Sequence, residues 1–156
     1  MKGTNMSTAR GNTTAKPALT RSPNRLIATI FGAVYILVAL IGFLVSGGVG
    51  FVDPQGALIL GIFEVNQLHN VAHLLIGAAL LIAGLSSVSA AKTVNGIVGA
   101  AYLLLGIAGF FLAADPESAV NFLALNTPDH FLHLASAVVL LGTALGADKS
   151  ARTSVA

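Results

Sequence analysis

The sequence predicts an all-α integral membrane protein: a four-helix bundle made of two parallel two-span hairpin repeats, with both termini cytoplasmic. Three observations lead there. First, 55% of the 156 residues are hydrophobic and only 9% are charged, whereas a soluble domain carries about 25%. The mean hydropathy is +0.85, and a lipid surface tolerates such a chain where a watery one does not. Second, the lysines and arginines all fall on one side of four apolar runs. Third, the second half of the membrane region repeats the first.

Residues 1–25 are rich in Ser, Thr, Asn and basic side chains and have no apolar face. They read as a disordered cytoplasmic tail. The membrane domain follows over 26–147, with spans at about 26–46, 68–87, 94–114 and 129–147. Each is near the 20 or so apolar residues that a helical crossing needs. The first run is about twice the 7–15 residues of a cleaved signal's apolar core, so it is read as a span. Asp148 closes the fourth, and 148–156 form a second cytoplasmic tail.

The basic residues orient the scheme. Lys2, Arg10, Lys16, Arg21 and Arg25 precede span one, Lys92 lies between spans two and three, and Lys149 and Arg152 follow span four. Five of the six acids, Asp53, Glu64, Asp115, Glu117 and Asp129, lie on the other side. The positive-inside rule then gives both termini in the cytoplasm.

The repeat is read in three matched segments. Gly32-Ala-Val-Tyr-Ile-Leu matches Gly99-Ala-Ala-Tyr-Leu-Leu, Asp53-Pro54-Gln55 matches Asp115-Pro116-Glu117, and the ten residues from Val65 match the ten from Leu125. Each unit has two crossings, so both insert the same way round and the expected axis is a pseudo-twofold along the membrane normal. In both outer loops Asp-Pro is expected to open a short interfacial helix, with Asp as N-cap and Pro at the first helical position. Small residues at Gly77, Gly84, Gly99, Gly106, Gly109 and Gly142-x-x-x-Gly146 are expected to mark close helix contacts.

Any chemistry must sit at the outer ends of spans two and four, which hold Asn66, His69, Asn70 and His73, then Asn126, Asp129, His130 and His133. At about 100° per residue Asn66, His69, Asn70 and His73 share one sector of span two, and Asp129, His130 and His133 one sector of span four. Polar groups so close to hydrocarbon should face inward, toward each other. Asn66 and Thr127 suit N-caps, Pro128 the first turn and Asp129 the positive end of a helix dipole. The leading expectation is therefore a structural or partner-binding protein whose His/Asn/Asp cluster locks the helix tops, with a membrane partner or a second copy among the candidates. The alternative is a metal-binding or redox/quinone accessory protein. His69 and His73 stand one turn apart, and Asp129 and His133 repeat that spacing, a donor set that suits zinc or another divalent ion. Bis-histidine haem is disfavoured, because every cationic partner for its propionates lies at the other face.

The chain has no cysteine, which excludes disulfides and thiolate sites. No nucleophile motif, phosphate loop or basic nucleic-acid surface is present. The pattern GAxYxLxxxxGF, then Asn-x-x-His-Asn-x-x-His and Asp-His-x-x-His, resembles a family of small bacterial four-span membrane proteins catalogued as a domain of unknown function. That resemblance, over about Arg25 to Gly146, implies a bacterial plasma-membrane location and supplies no activity. The bundle is also similar, at the level of fold alone, to DoxX-type membrane proteins.

Overall fold

A computed structural model describes residues 22–113 and 117–149, with Leu19 and Asp115. Most of the expected tails, 1–18, 20–21 and 150–156, lie outside the described residues. Among the described residues there are four α-helices: α1 (Pro23–Val45), α2 (Gln67–Ser86), α3 (Val88–Leu112) and α4 (Thr127–Gly146). All four are long and apolar enough to cross a membrane.

Local chemistry sets each start. Ser22 caps α1, its hydroxyl accepting the Arg25 N–H at 3.3 Å, and Pro23 takes the first turn, where no donor is needed. Ser22 to Arg25, assigned to the tail by composition, therefore open the first helix instead. Asn66 caps α2 and Asn126 caps α4, the latter in a reciprocal capping box with Asp129. Ser87 ends α2 and caps α3 in one residue. Hence α3 begins six residues before the predicted boundary at 94, and Lys92, expected in a loop, lies in its first turns.

The loops depart most from expectation. In place of a short helix, the α1–α2 loop folds as a hairpin of β1 (Ala57–Ile59) and β2 (Phe63–Val65), paired antiparallel with Ala57 opposite Val65 and Ile59 opposite Phe63. Leu60 and Gly61 both adopt positive φ, 54° and 70°, which matches the twist of paired strands and breaks a helix. The other loop has no helix among its described residues. In both loops the Asp side chain closes a turn rather than capping a helix: Asp53 accepts the Gln55 N–H at 3.1 Å and Asp115 the Glu117 N–H at 3.0 Å.

The helices pack most closely as two pairs, α1 with α2 and α3 with α4. A Cβ at Gly32 would sit 2.5 Å from the Leu81 nitrogen, and one at Gly77 would sit 2.9 Å from the Gly32 carbonyl oxygen. Backbones meet there because no side chain intervenes. Gly142 and Gly146 do not follow this rule, since nothing approaches them. Ala137, Leu140 and Ala144 are the α4 residues turned to the core. Tyr35, Leu80, Val98, Tyr102 and Leu140 fill the centre of the bundle, while its outer faces present Leu44, Leu104, Phe111 and Val138.

At the end holding the α2–α3 turn, polar groups clasp α1 to α4. Asp148 accepts the Ser22 hydroxyl at 2.8 Å, and the backbone N–H and side-chain amide of Asn24 at 3.1 and 3.0 Å. Burial alone would raise the Asp148 carboxyl, but these donors and the nearby Lys92 charge hold it below the usual carboxylate range. Arg25 donates to the carbonyls of Gly84 and Leu85 at the end of α2.

Candidate functional site

The opposite end holds all four histidines and separates them into two groups. His69 and His73 stand one turn apart on α2, with ring centroids 4.3 Å apart. His133 of α4 meets them, its ring 6.0 Å from that of His69. One ring nitrogen from each of the three lies within 4.8 Å of the others, and all three side chains are buried. Helix periodicity places two donors on one face of α2 and the third on the facing stripe of α4.

Two tyrosines complete the cluster. Tyr35 stacks almost parallel on His73, centroids 5.4 Å apart and planes 7° apart. Tyr102 packs on His133 at 4.9 Å, and the two tyrosines meet edge-on at 5.6 Å. Sequence reasoning paired them only as matched positions of the repeat and left them out of the site. Its signal was there: they are the only tyrosines in the chain, each a polar tip inside an otherwise apolar run.

Hydrogen bonding divides the polar cluster by role. Asn66 accepts the His69 N–H and donates to the carbonyls of Asp53 and Phe122 at 2.9 and 2.8 Å, so it ties both loops to α2. Asn126 donates to the Ile62 carbonyl at 2.8 Å and accepts the Asp129 N–H. One oxygen of Asp129 accepts the N–H groups of Asn126 and Glu64 at 3.0 and 3.2 Å, which joins β2 to α4. These amides and the carboxylate are committed to structure.

The imidazoles are committed only in part, His69 through hydrogen bonds with the backbone of Glu64 and Leu123. Nδ1 of His69, His73 and His133 is buried with no hydrogen-bond partner, as is Nδ1 of His130 outside the trio, while the Tyr35 hydroxyl meets those of Ser136 and Tyr102. Each orphaned buried polar group costs about 1–3 kcal/mol, and buried polar atoms normally find partners. Three such nitrogens in one cluster point to a guest that completes them.

Asn70 and His130 do not join the trio, contrary to the expectation that every polar group faces its counterpart. Asn70 turns to α1, donating to the Ser46 hydroxyl at 2.8 Å in the notch left by Gly42. His130 turns to α3, into the notch at Gly109 and against Phe110, whose ring is 4.9 Å away. A side chain at either glycine would collide with its guest.

A cavity of about 320 Å³ opens beside the trio, between α1 and α4 and under the hairpin. Ile30, Val34, Leu60 and Leu132 line its mouth, and Tyr35, His73, Asp129, His133 and Ser136 give it a polar side.

Residues 25–146 match the profile of a family described as "Domain of unknown function (DUF4383)". No curated protein and no solved structure matches the chain.

Proposed function

The chain belongs to the family described as a domain of unknown function (DUF4383), and within it we propose a membrane protein that binds one divalent metal ion through His69, His73 and His133. The observation that carries this reading is the convergence of three buried imidazoles, each with an unpartnered nitrogen. Neutral imidazole suits zinc and other borderline ions. Three protein ligands leave a fourth position open, the pattern of zinc sites that bind an exogenous group. Asp129, one oxygen of which already serves two backbone N–H groups, orients the top of α4 rather than completing the shell.

The structural role expected of the cluster belongs to Asn66, Asn126 and Asp129, whose hydrogen bonds fix the loops over the helix tops. The metal site faces the outside of the bacterial plasma membrane and both termini are cytoplasmic, a reading supported by the one-sided placement of Lys and Arg. The two halves form a parallel repeat. Support comes from matched positions with matched contacts: Asn70 opposite Gly42 as His130 is opposite Gly109, and Tyr35 on His73 as Tyr102 is on His133.

The test is elemental analysis of the full chain, purified in mild detergent without chelator and then offered zinc. One equivalent per chain is expected, with thermal stability falling when the metal is stripped, because metal binding adds to the stability of the folded state alone. A chain that takes up no metal after that exposure refutes the proposal.

A further inference from the structure

The cavity beside the trio opens through the apolar outer face of the bundle. Its mouth residues Val34 and Leu60 are 48% and 83% exposed, on a face read as turned to lipid, so the natural entrant is a lipid rather than a solute from water. Its size falls in the range of small-molecule sites, about 300–1,000 Å³. The polar side mixes donors and acceptors, the Tyr35 and Ser136 hydroxyls, the His73 and His133 rings and the Asp129 carboxylate. Asp129 is the one charged residue in the lining, and no lysine or arginine joins it. A phosphate or carboxylate head would meet a like charge with no cation to offset it. A neutral head with oxygens able to accept and donate meets no such penalty. Phe31, Tyr35 and Phe63 also line the space, and aromatic side chains favour a flat ring packed on or against them.

From this geometry we infer that the α1–α4 cavity binds a lipid-soluble quinone or quinol, its ring oxygens among Tyr35, His73, His133 and Ser136 and its chain leaving past Val34 and Leu132 into the bilayer. The site shares His73 and His133 with the metal centre but does not rest on it, since His69 lies outside the lining. No electron transfer is assigned.

The experiment is saturation binding of decylubiquinone to the detergent-solubilised full chain, with bound quinone measured by ultraviolet absorbance after gel filtration. One molecule per chain is expected. Val34→Trp and Leu132→Trp, which fill the mouth from either wall, should weaken binding at least about tenfold, or about 1.4 kcal/mol. Val138→Trp, outside the cavity lining, should not. His69→Asn should lose metal and keep quinone, so the two sites fail separately. Decanoate and geranylgeraniol should compete poorly, the first for its charge and the second for its lack of a ring. Wild-type affinity in both mouth variants, equal competition by either lipid, loss of quinone in His69→Asn, or no saturable binding would each overturn the inference.

Discussion

The side-chain amide of Gln55 donates to the carboxylate of Glu117 at 3.1 Å, joining the two loops through residues that occupy matched positions in the two halves of the sequence. Under the proposed parallel repeat, a contact between such equivalents lies on the axis that relates the halves. The expected outcome for an experimental structure is therefore superposition of α1–α2 on α3–α4 about the bundle axis, bringing Tyr35 onto Tyr102 and His73 onto His133. An in-plane axis would contradict the parallel repeat.

Orientation has its own check. Reporters inserted at Gln55 or Glu117 should register outside the cell, and those at Ser87 or after Ala156 in the cytoplasm. External activity at the C-terminus would require an odd number of crossings.

Glycine notches predict an asymmetric tolerance. Gly42→Leu and Gly109→Leu drive a side chain into Asn70 and His130, and each should destabilise the bundle by about 1–3 kcal/mol, the usual cost of overpacking. Gly142→Ala and Gly146→Ala, which meet open space within α4, should not destabilise it and should stabilise it by up to about 1 kcal/mol, since alanine loses less backbone entropy in a helix. Thermal unfolding in one detergent compares all four.

The Asp148 clasp predicts a pH dependence. Its carboxyl is held below its value in the unfolded chain by Asn24 and Ser22, so its contribution is complete above the unfolded value of about 3.9. It fades as pH falls through the lower folded value. Asp148→Asn should thus lower stability at neutral pH and flatten the dependence below pH of about 4. The effect should be small, since the group is partly exposed. An unchanged acid limb in that variant would remove the clasp from consideration.

Hydropathy made the spans legible, because a crossing is a property of some 20 residues together. Boundaries turned on single capping residues, and Ser22 and Ser87 extended α1 and α3 beyond what composition marks. The hairpin was hidden because Asp53-Pro54 also suits a helix start, and the decisive feature, positive φ at Leu60 and Gly61, is a tertiary outcome for Leu60. Periodicity found the sector that holds the histidines but not its division. Whether His130 faces His133 or α3 depends on the absence of a side chain at Gly109, a residue on another helix. Tyr35 and Tyr102 escaped for the same reason, since the spans that carry them hold no histidine.

The most direct measurement is cobalt(II) titration of the full chain, read by its visible spectrum, in wild type and in His69→Asn, His73→Asn, His133→Asn and His130→Asn. Amide oxygen is a poor substitute for imidazole on a borderline ion but still supports hydrogen bonds, so Asn separates ligation from packing. Wild type and His130→Asn should take up one cobalt with the intense bands of low coordination number. The other three should lose those bands and most of the uptake. The same spectrum in His133→Asn as in wild type, or no cobalt bound by wild type, would contradict a metal held by the three histidines.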